Sequence, residues 1–276
     1  MYKVLISDNV SKECVDILKA SQGIEVTFNT KMNPDELKSV IGEYDGLIVR
    51  SATKVRGEIL DAAQKLRVIG RAGAGTDNID VKNATGKGIV VMNTPGGNTV
   101  STAEHAFSLM MALARNIPQA DRSVKNGIWN PKKYMGVELR GKTLGIIGLG
   151  NIGREVAARA IAFKMRVLGY DPFISREMTD RLGIELAAPD QIWEESDFIT
   201  VHTPLNDSTR HLINADSLSK CKDGVRIINA ARGGIIDEKA ALNALDSGKV
   251  AGIALDVYEN EPPENNPLVN HERVIS

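Results

Sequence analysis

The sequence predicts an α/β protein built as two doubly wound parallel-sheet domains, residues 1–97 and 98–276, with a cleft between them. Three observations predict it. Short apolar runs rich in β-branched residues alternate with longer helical patterns along the whole chain, as expected for strands covered by helices on both faces. The alternation is interrupted once, at Pro95-Gly96-Gly97, and resumes at Lys142. A length of 276 residues suits one or two domains with a sizeable core.

The elements follow in order. In the first domain, strands are predicted in VLISD, IEVTFN, DGLIVRS, LRVIGRAG and IVVMNTPG, with one helix after Ser11 and a second starting near Asn33. Across the boundary NTPGGNTVSTAEH, Ser101 and Glu104 have the spacing of a capping box and predict a helix start. Ala103, Ala106, Phe107, Met110, Met111 and Ala114 then share one helical face. A face so apolar is core or subunit interface, and it predicts a two-fold dimer or a higher homo-oligomer. In the second domain, strands are predicted in TLGIIGLG, RVLGYD, DFITVHTP, VRIINAARG and GIALDVY. Ligands of doubly wound sheets sit at the carboxyl ends of the strands. That rule singles out Arg71, Asp171, His202, Arg232 and Asp256.

Composition excludes several classes. Apolar residues make up 42% and charged residues 25%, the balance of an ordinary soluble domain and not of a disordered chain. Lys and Arg total 34 against 35 Asp and Glu, a formal net charge of −1, so no nucleic-acid partner is expected. No stretch reaches the roughly 18 apolar residues of a membrane span. The opening MYKVLISDNV lacks the basic start and long apolar run of a secretion signal, which predicts a cytoplasmic protein. Cys14 and Cys221 are far apart and have no Cys or His at metal-ligand spacing. They predict two reduced thiols, with neither a disulfide nor a metal site.

Gly148-Leu-Gly150-Asn-Ile-Gly153 matches the dinucleotide fingerprint, directly after the strand TLGII and at the start of the helix NIGREVAARAIAF. Gly148 permits the tight turn, Gly150 lets a pyrophosphate approach the backbone, and Gly153 lets helix and strand pack closely. Asp171 ends the next strand, 18 residues after Gly153. A carboxylate there holds ribose hydroxyls and repels a 2′-phosphate, and Pro172 and Phe173 supply no compensating cation. NAD is therefore expected rather than NADP.

GRAGAGTDNID, NTPGGNTVSTAEH, GKTLGIIGLGNIGREVA, DFITVHTPL, INAARGGIIDEKA and AGIALDVYENEPP together resemble the D-2-hydroxyacid dehydrogenase family, from about Lys3 to Ser276. The resemblance implies two Rossmann-like domains, the first a substrate-binding lid and the second binding NAD. It implies NAD-dependent oxidation of a small 2-hydroxy acid, with 3-phospho-D-glycerate, at the first step of L-serine synthesis, as the expected substrate. It also implies an Arg–Glu–His catalytic set, whose arginine falls on Arg232 and whose glutamate falls on Glu261. Oxidising a 2-hydroxy acid calls for a planar cation on the carboxylate. It also calls for a base for the hydroxyl proton, usually a histidine oriented by a carboxylate. Asn151 and Ile152 join the pyrophosphate turn, Thr203 and Pro204 the adenosine side, and Ala230, Arg232 and Asp256 the nicotinamide side. Arg50, Ser51, Arg71, Gly73 and Ala74 match substrate-facing positions, and Arg50 and Arg71 are the expected phosphate ligands.

The histidine departs from the pattern. In the family it follows the strand that here begins RVIS, within Pro-His-x-Gly-Ala, and residues 1–276 contain no such stretch. His105, His202, His211 and His271 do not match that position. His202 is expected beside the cofactor, and the other three are expected to be structural or solvated. The chain as given is therefore expected to lack its general acid/base and the family's return segment to the lid, and to bind NAD without turnover. Two alternatives are an unphosphorylated-substrate relative, such as a hydroxypyruvate or glyoxylate reductase, and a non-enzymatic NAD-sensing protein of the same fold.

Overall fold

The computed structural model describes residues 1–276 and divides them into two units, Met1–Asn98 and Thr99–Ser276, each with its own sheet and core. In the first unit the chain runs β1 (Tyr2–Ile6), α1 (Lys12–Ala20), β2 (Ile24–Phe28), α2 (Pro34–Val40), β3 (Gly46–Val49), α3 (Glu58–Ala62), β4 (Val68–Arg71), α4 (Val81–Gly86) and β5 (Val90–Met92). The strands pair in parallel in the order β2-β1-β3-β4-β5. Leu5, Leu47, Val49 and Ile69 from the strands meet Leu37, Ile41 and Leu60 from the covering segments in one core. Both predicted helix starts are real. Ser11 accepts from the Cys14 N–H, and Asn33 and Glu36 form a reciprocal capping box ahead of Pro34. Such caps satisfy amides that the first helical turn leaves open.

The second unit runs α5 (Thr99–Arg115), α6 (Ile117–Lys125), β6 (Thr143–Ile147), α7 (Asn151–Ala162), β7 (Arg166–Tyr170), α8 (Arg176–Arg181), β8 (Glu185–Leu186), α9 (Pro189–Glu195), β9 (Phe198–Val201), α10 (Ala215–Lys220), β10 (Val225–Asn229), α11 (Glu238–Asp246), β11 (Val250–Leu255), α12 (Pro267–Asn270) and β12 (Val274–Ile275). Its seven parallel strands lie in the order β12-β11-β10-β9-β6-β7-β8. The chain leaves β6 toward β7 and returns through β9 on the other side. This reversal makes a crevice at the carboxyl ends of β6 and β9.

Two expectations about α5 are corrected. The helix begins at Thr99, so Ser101 lies inside its first turn instead of capping it. Glu104 reaches Arg159 on α7, at 3.4 Å. The face bearing Ala103, Ala106, Phe107, Met110 and Ala114 is not a subunit surface: all five are buried in the unit's own core with Leu144, Ile146, Val156 and Phe198. Met111 packs against the edge of that core, and Phe107 meets Phe163 edge-on with ring centroids 4.9 Å apart. Helical periodicity reveals that a face is covered, not what covers it. Exposed apolar side chains cluster just after α5, at Ile117, Val124, Ile128, Trp129 and Met135.

One buried anion braces the first unit. Asp8, only 4% exposed, follows β1 and accepts from the Arg50 N–H (2.6 Å), the Thr53 N–H (3.1 Å) and the Thr53 hydroxyl (2.7 Å). From the other side, the Asn78 amide donates to the Arg50 and Thr53 carbonyls. The loop 50–53 is thereby held at both ends. Asp8→Ala strands the two backbone donors and should lower stability by about 2–4 kcal/mol. Asp8→Asn, which retains one acceptor, should cost less. Urea unfolding midpoints check both.

Candidate functional site

The fingerprint loop is shaped by close approach. Gly148 has φ +94°, and a Cβ there would come within 2.6 Å of the His202 carbonyl oxygen. A Cβ on Gly153 would collide with the Gly148 carbonyl oxygen, so α7 packs directly on the loop. Both glycines are thus required by the fold itself. Gly150 is different. It sits at the N-cap of α7 in an ordinary conformation, and a Cβ there would meet no protein atom within 4 Å.

No side chain caps α7, so its first amides, Asn151 and Ile152 among them, are available to an anion at the positive end of the helix dipole. The Asn151 side chain accepts from Arg154, and Ile152 rests against the core. Beside the loop, buried His202 Nδ1 and Thr203 Oγ1 have no protein partner, an arrangement that invites a ligand. Asp171 leaves β7 with Oδ2 accepting the Leu149 N–H and Oδ1 accepting the Phe173 N–H, both at 2.9 Å. Each oxygen keeps a second lone pair for a hydroxyl. Pro204, whose carbonyl accepts from Thr209, continues the rim. These residues fit a dinucleotide: amides for the pyrophosphate, an acid for a ribose and open space over Gly150.

The turn 230–234 follows β10 next to the end of β11. Asn229, 1% exposed, spans it: its amide donates to the Arg232 carbonyl (2.9 Å), and its Oδ1 accepts the Ala231 N–H (3.0 Å). Ala230 is buried, and the place of a Cβ on Gly233 is filled by the Tyr258 carbonyl. Arg232 is thus presented from a rigid turn. The Asp256 N–H donates to the Asn229 carbonyl at 3.0 Å, so Arg232, Ala230 and Asp256 share the carboxyl ends of two paired strands. Glu261 is exposed and accepts the Tyr258 N–H at 3.1 Å, while the Tyr258 hydroxyl lies 2.6 Å from Ser276 Oγ. A single tyrosine therefore ties Glu261 to the end of β12.

In the first unit, Arg50 and Ser51 leave β3 and Arg71 ends β4, the strand paired beside it. The Arg71 guanidinium folds over Gly73, occupying the space a Cβ would need. The Ala74 carbonyl accepts from Asn93 at 2.6 Å. All five candidate substrate residues therefore gather at the carboxyl edge of this sheet.

Three histidines pair with carboxylates: His105 with Asp256 (3.2 Å), His211 with Glu259 (3.0 Å) and His271 with Asp246 (3.5 Å). The His202 Nε2 meets Thr200 Oγ1 at 3.0 Å, and burial pushes its imidazole down to about 4. Sequence reasoning missed Asn229, Asp8 and the His105–Asp256 pair. Only Asn229 left a signal, as the buried-strand asparagine that opens INAARGG.

His202 sets a pH dependence. An unfolded histidine takes up its proton near 6.5, the folded one only near 4. Its contribution is therefore complete above pH 6.5 and is lost as pH falls through that window, by up to about 3 kcal/mol. His202→Gln should flatten the decline between pH 7 and 4.5, measured as urea unfolding free energies.

Comparisons with known proteins identify the family. Residues 107–276 match "D-isomer specific 2-hydroxyacid dehydrogenase, NAD binding domain", and residues 4–189 match "D-isomer specific 2-hydroxyacid dehydrogenase, catalytic domain". The chain belongs to the D-isomer specific 2-hydroxyacid dehydrogenases, and its second unit is an NAD-binding domain of that family. It is 52% identical to the D-3-phosphoglycerate dehydrogenase of Archaeoglobus fulgidus, over 99% of this chain and 52% of that protein. The chain spans about half the length of the curated relatives it matches. Among solved structures, a glyoxylate reductase from Paecilomyes thermophila superposes with a TM-score of 0.91 at 34% identity, covering 99% of this chain and 87% of that one. A D-lactate dehydrogenase from Aquifex aeolicus, complexed with NAD and lactic acid, does so at 0.86 and 29%, covering 99% and 86%.

Proposed function

We propose that this protein takes part in the NAD-dependent oxidation of 3-phospho-D-glycerate to 3-phosphohydroxypyruvate, the first step of L-serine biosynthesis. The observation that carries the proposal is Arg232, presented by buried Asn229 on a turn beside Asp256, in the same sheet as the dinucleotide cradle. The similarity to D-3-phosphoglycerate dehydrogenases supports the choice of substrate.

NAD, when bound, supplies the two-electron oxidant for C2 of the substrate. The chain's own residues bind and orient. The amides of Asn151 and Ile152, with Gly150 leaving room, receive the pyrophosphate, and Asp171 takes the ribose hydroxyls. Thr203 and Pro204 line the adenosine side, and Ala230 and Asp256 the nicotinamide side. Arg232 pairs with the α-carboxylate through two parallel N–H donors and stabilises the carbonyl oxygen that develops at C2. Arg50 and Arg71, with Ser51 and the backbone at Gly73 and Ala74, hold the substrate's phosphate end. Glu261 orients a histidine that takes the hydroxyl proton; in the family pattern that histidine follows β12, whose end Tyr258 holds next to Glu261.

The likeness to a glyoxylate reductase favours one second reading, an unphosphorylated substrate. Steady-state comparison of 3-phospho-D-glycerate with D-glycerate, in a protein that carries the histidine, separates the two. Charge-assisted hydrogen bonds from Arg50 and Arg71 contribute roughly 1.5–3 kcal/mol, so kcat/KM should favour the phosphorylated acid by about 10- to 100-fold. Equal values would select the second reading.

Two coarser features complete the proposal. No helix is long and apolar enough to cross a membrane, and the free thiols Cys14 and Cys221 suit a reducing cytoplasm. The exposed Ile117, Val124, Ile128, Trp129 and Met135 support a homodimer through the second unit. Sedimentation showing a monomer at micromolar concentration would count against that assembly.

A further inference from the structure

We propose that His105 is a positioning residue that holds the Asp256 carboxylate in place for the carboxamide of the bound nicotinamide. The inference rests on the cofactor reading above and adds a residue to it.

Asp256 is the first residue beyond β11. Its backbone is fixed by the 3.0 Å bond to the Asn229 carbonyl, but its side chain is 51% exposed and has a single partner, the His105 Nε2 at 3.2 Å from Oδ1. A carboxylate only accepts, so Nε2 is the protonated ring nitrogen in this contact. His105 is itself half exposed, on α5. An exposed pair of this kind adds little to the stability of the fold. What it does change is the freedom of Asp256: with Oδ1 engaged, Oδ2 is presented from a fixed rotamer. An acceptor-only group suits a neutral amide N–H donor and repels phosphates.

Position separates this pair from the other two. Glu259 also accepts the Glu238 N–H at 3.3 Å, and Asp246 is the last residue of α11. Only Asp256 stands at the carboxyl end of a strand that pairs with the strand leading into Arg232.

The test compares two ligands that share everything except the nicotinamide. NAD and ADP-ribose are titrated calorimetrically into the unsubstituted protein, His105→Ala, His105→Gln, Asp256→Asn and the Ala/Asn double variant. Ordering one side chain costs about 0.5–1.5 kcal/mol, so His105→Ala should weaken NAD about two- to tenfold while ADP-ribose binds unchanged. His105→Gln, which keeps an N–H donor, should recover most of the loss. The double variant should be no weaker than Asp256→Asn, because His105 acts only through Asp256. Unchanged NAD affinity in His105→Ala, or equal weakening of both ligands, would overturn the proposal. Failure of the unsubstituted protein to bind NAD would overturn the cofactor reading first, and this inference with it.

Discussion

Residues 1–276 by themselves are expected to oxidise 3-phospho-D-glycerate about 10²–10⁴-fold more slowly than a longer chain carrying the family's histidine after β12, the usual contribution of a positioned acid–base group. The groups that are present point the same way. Arg232 and Glu261 can bind and orient, but the four histidines have other partners. His202, the one beside the fingerprint loop, is held neutral by burial with its pKa pushed down to about 4 and its Nε2 engaged by Thr200. So weak a base is poorly matched to a hydroxyl proton at neutral pH. His105, His211 and His271 face Asp256, Glu259 and Asp246. Stopped-flow absorbance with both chains measures the ratio. Robust turnover by residues 1–276, abolished by His202→Ala, would show that the base lies within them.

In the longer chain, Arg232→Ala should lower kcat/KM by about one to two decades, the equivalent of a lost charge-assisted hydrogen bond of roughly 1.5–3 kcal/mol. NAD affinity should fall by less than kcat/KM, because the loop 148–153 and Asp171 hold the rest of the dinucleotide and do not depend on the guanidinium at its nicotinamide end. Arg232→Lys should recover only part of the activity, since an ammonium lacks the planar fork that matches a carboxylate. Steady-state kinetics with 3-phospho-D-glycerate, together with NAD titration of the same variants, separates a substrate role from collapse of the turn that Asn229 spans.

Much of the fold was legible because parallel strands buried on both faces read as unbroken apolar runs. Both sheets were found in this way, and β6 to α7 was marked by its glycines. Short elements left no such trace: β8 has two residues, and α3 has five with no capping side chain. The start of α5 was misplaced because Ser101 and Glu104 satisfy the capping spacing while Glu104 actually serves Arg159. The Met-rich face was read as core or subunit interface, and the dimer expected from it was misplaced, because periodicity carries no information about which surface covers it.

The site divides in the same way. Glycines, strand-end acids and Arg232 were visible as local motifs. The contacts that brace them were not, since Asp8 meets Thr53 only through the pairing of β1 with β3, and His105 meets Asp256 only through the packing of α5 on the second sheet. Gly150 shows the value of the structure most clearly. Sequence assigned all three fingerprint glycines a role, and the structure separates the two that the fold demands from Gly150, where the place of a Cβ is open.

An NAD cradle in the second unit, with Asp171 selecting the cofactor, is tested most directly by calorimetric titration of residues 1–276 with NAD and NADP. NAD should bind with a stoichiometry of about one per chain. NADP should bind at least about tenfold more weakly, because its 2′-phosphate meets a carboxylate with no cation in compensation. Equal affinity for the two cofactors would contradict the assignment of Asp171, and no binding of either would contradict the cradle itself.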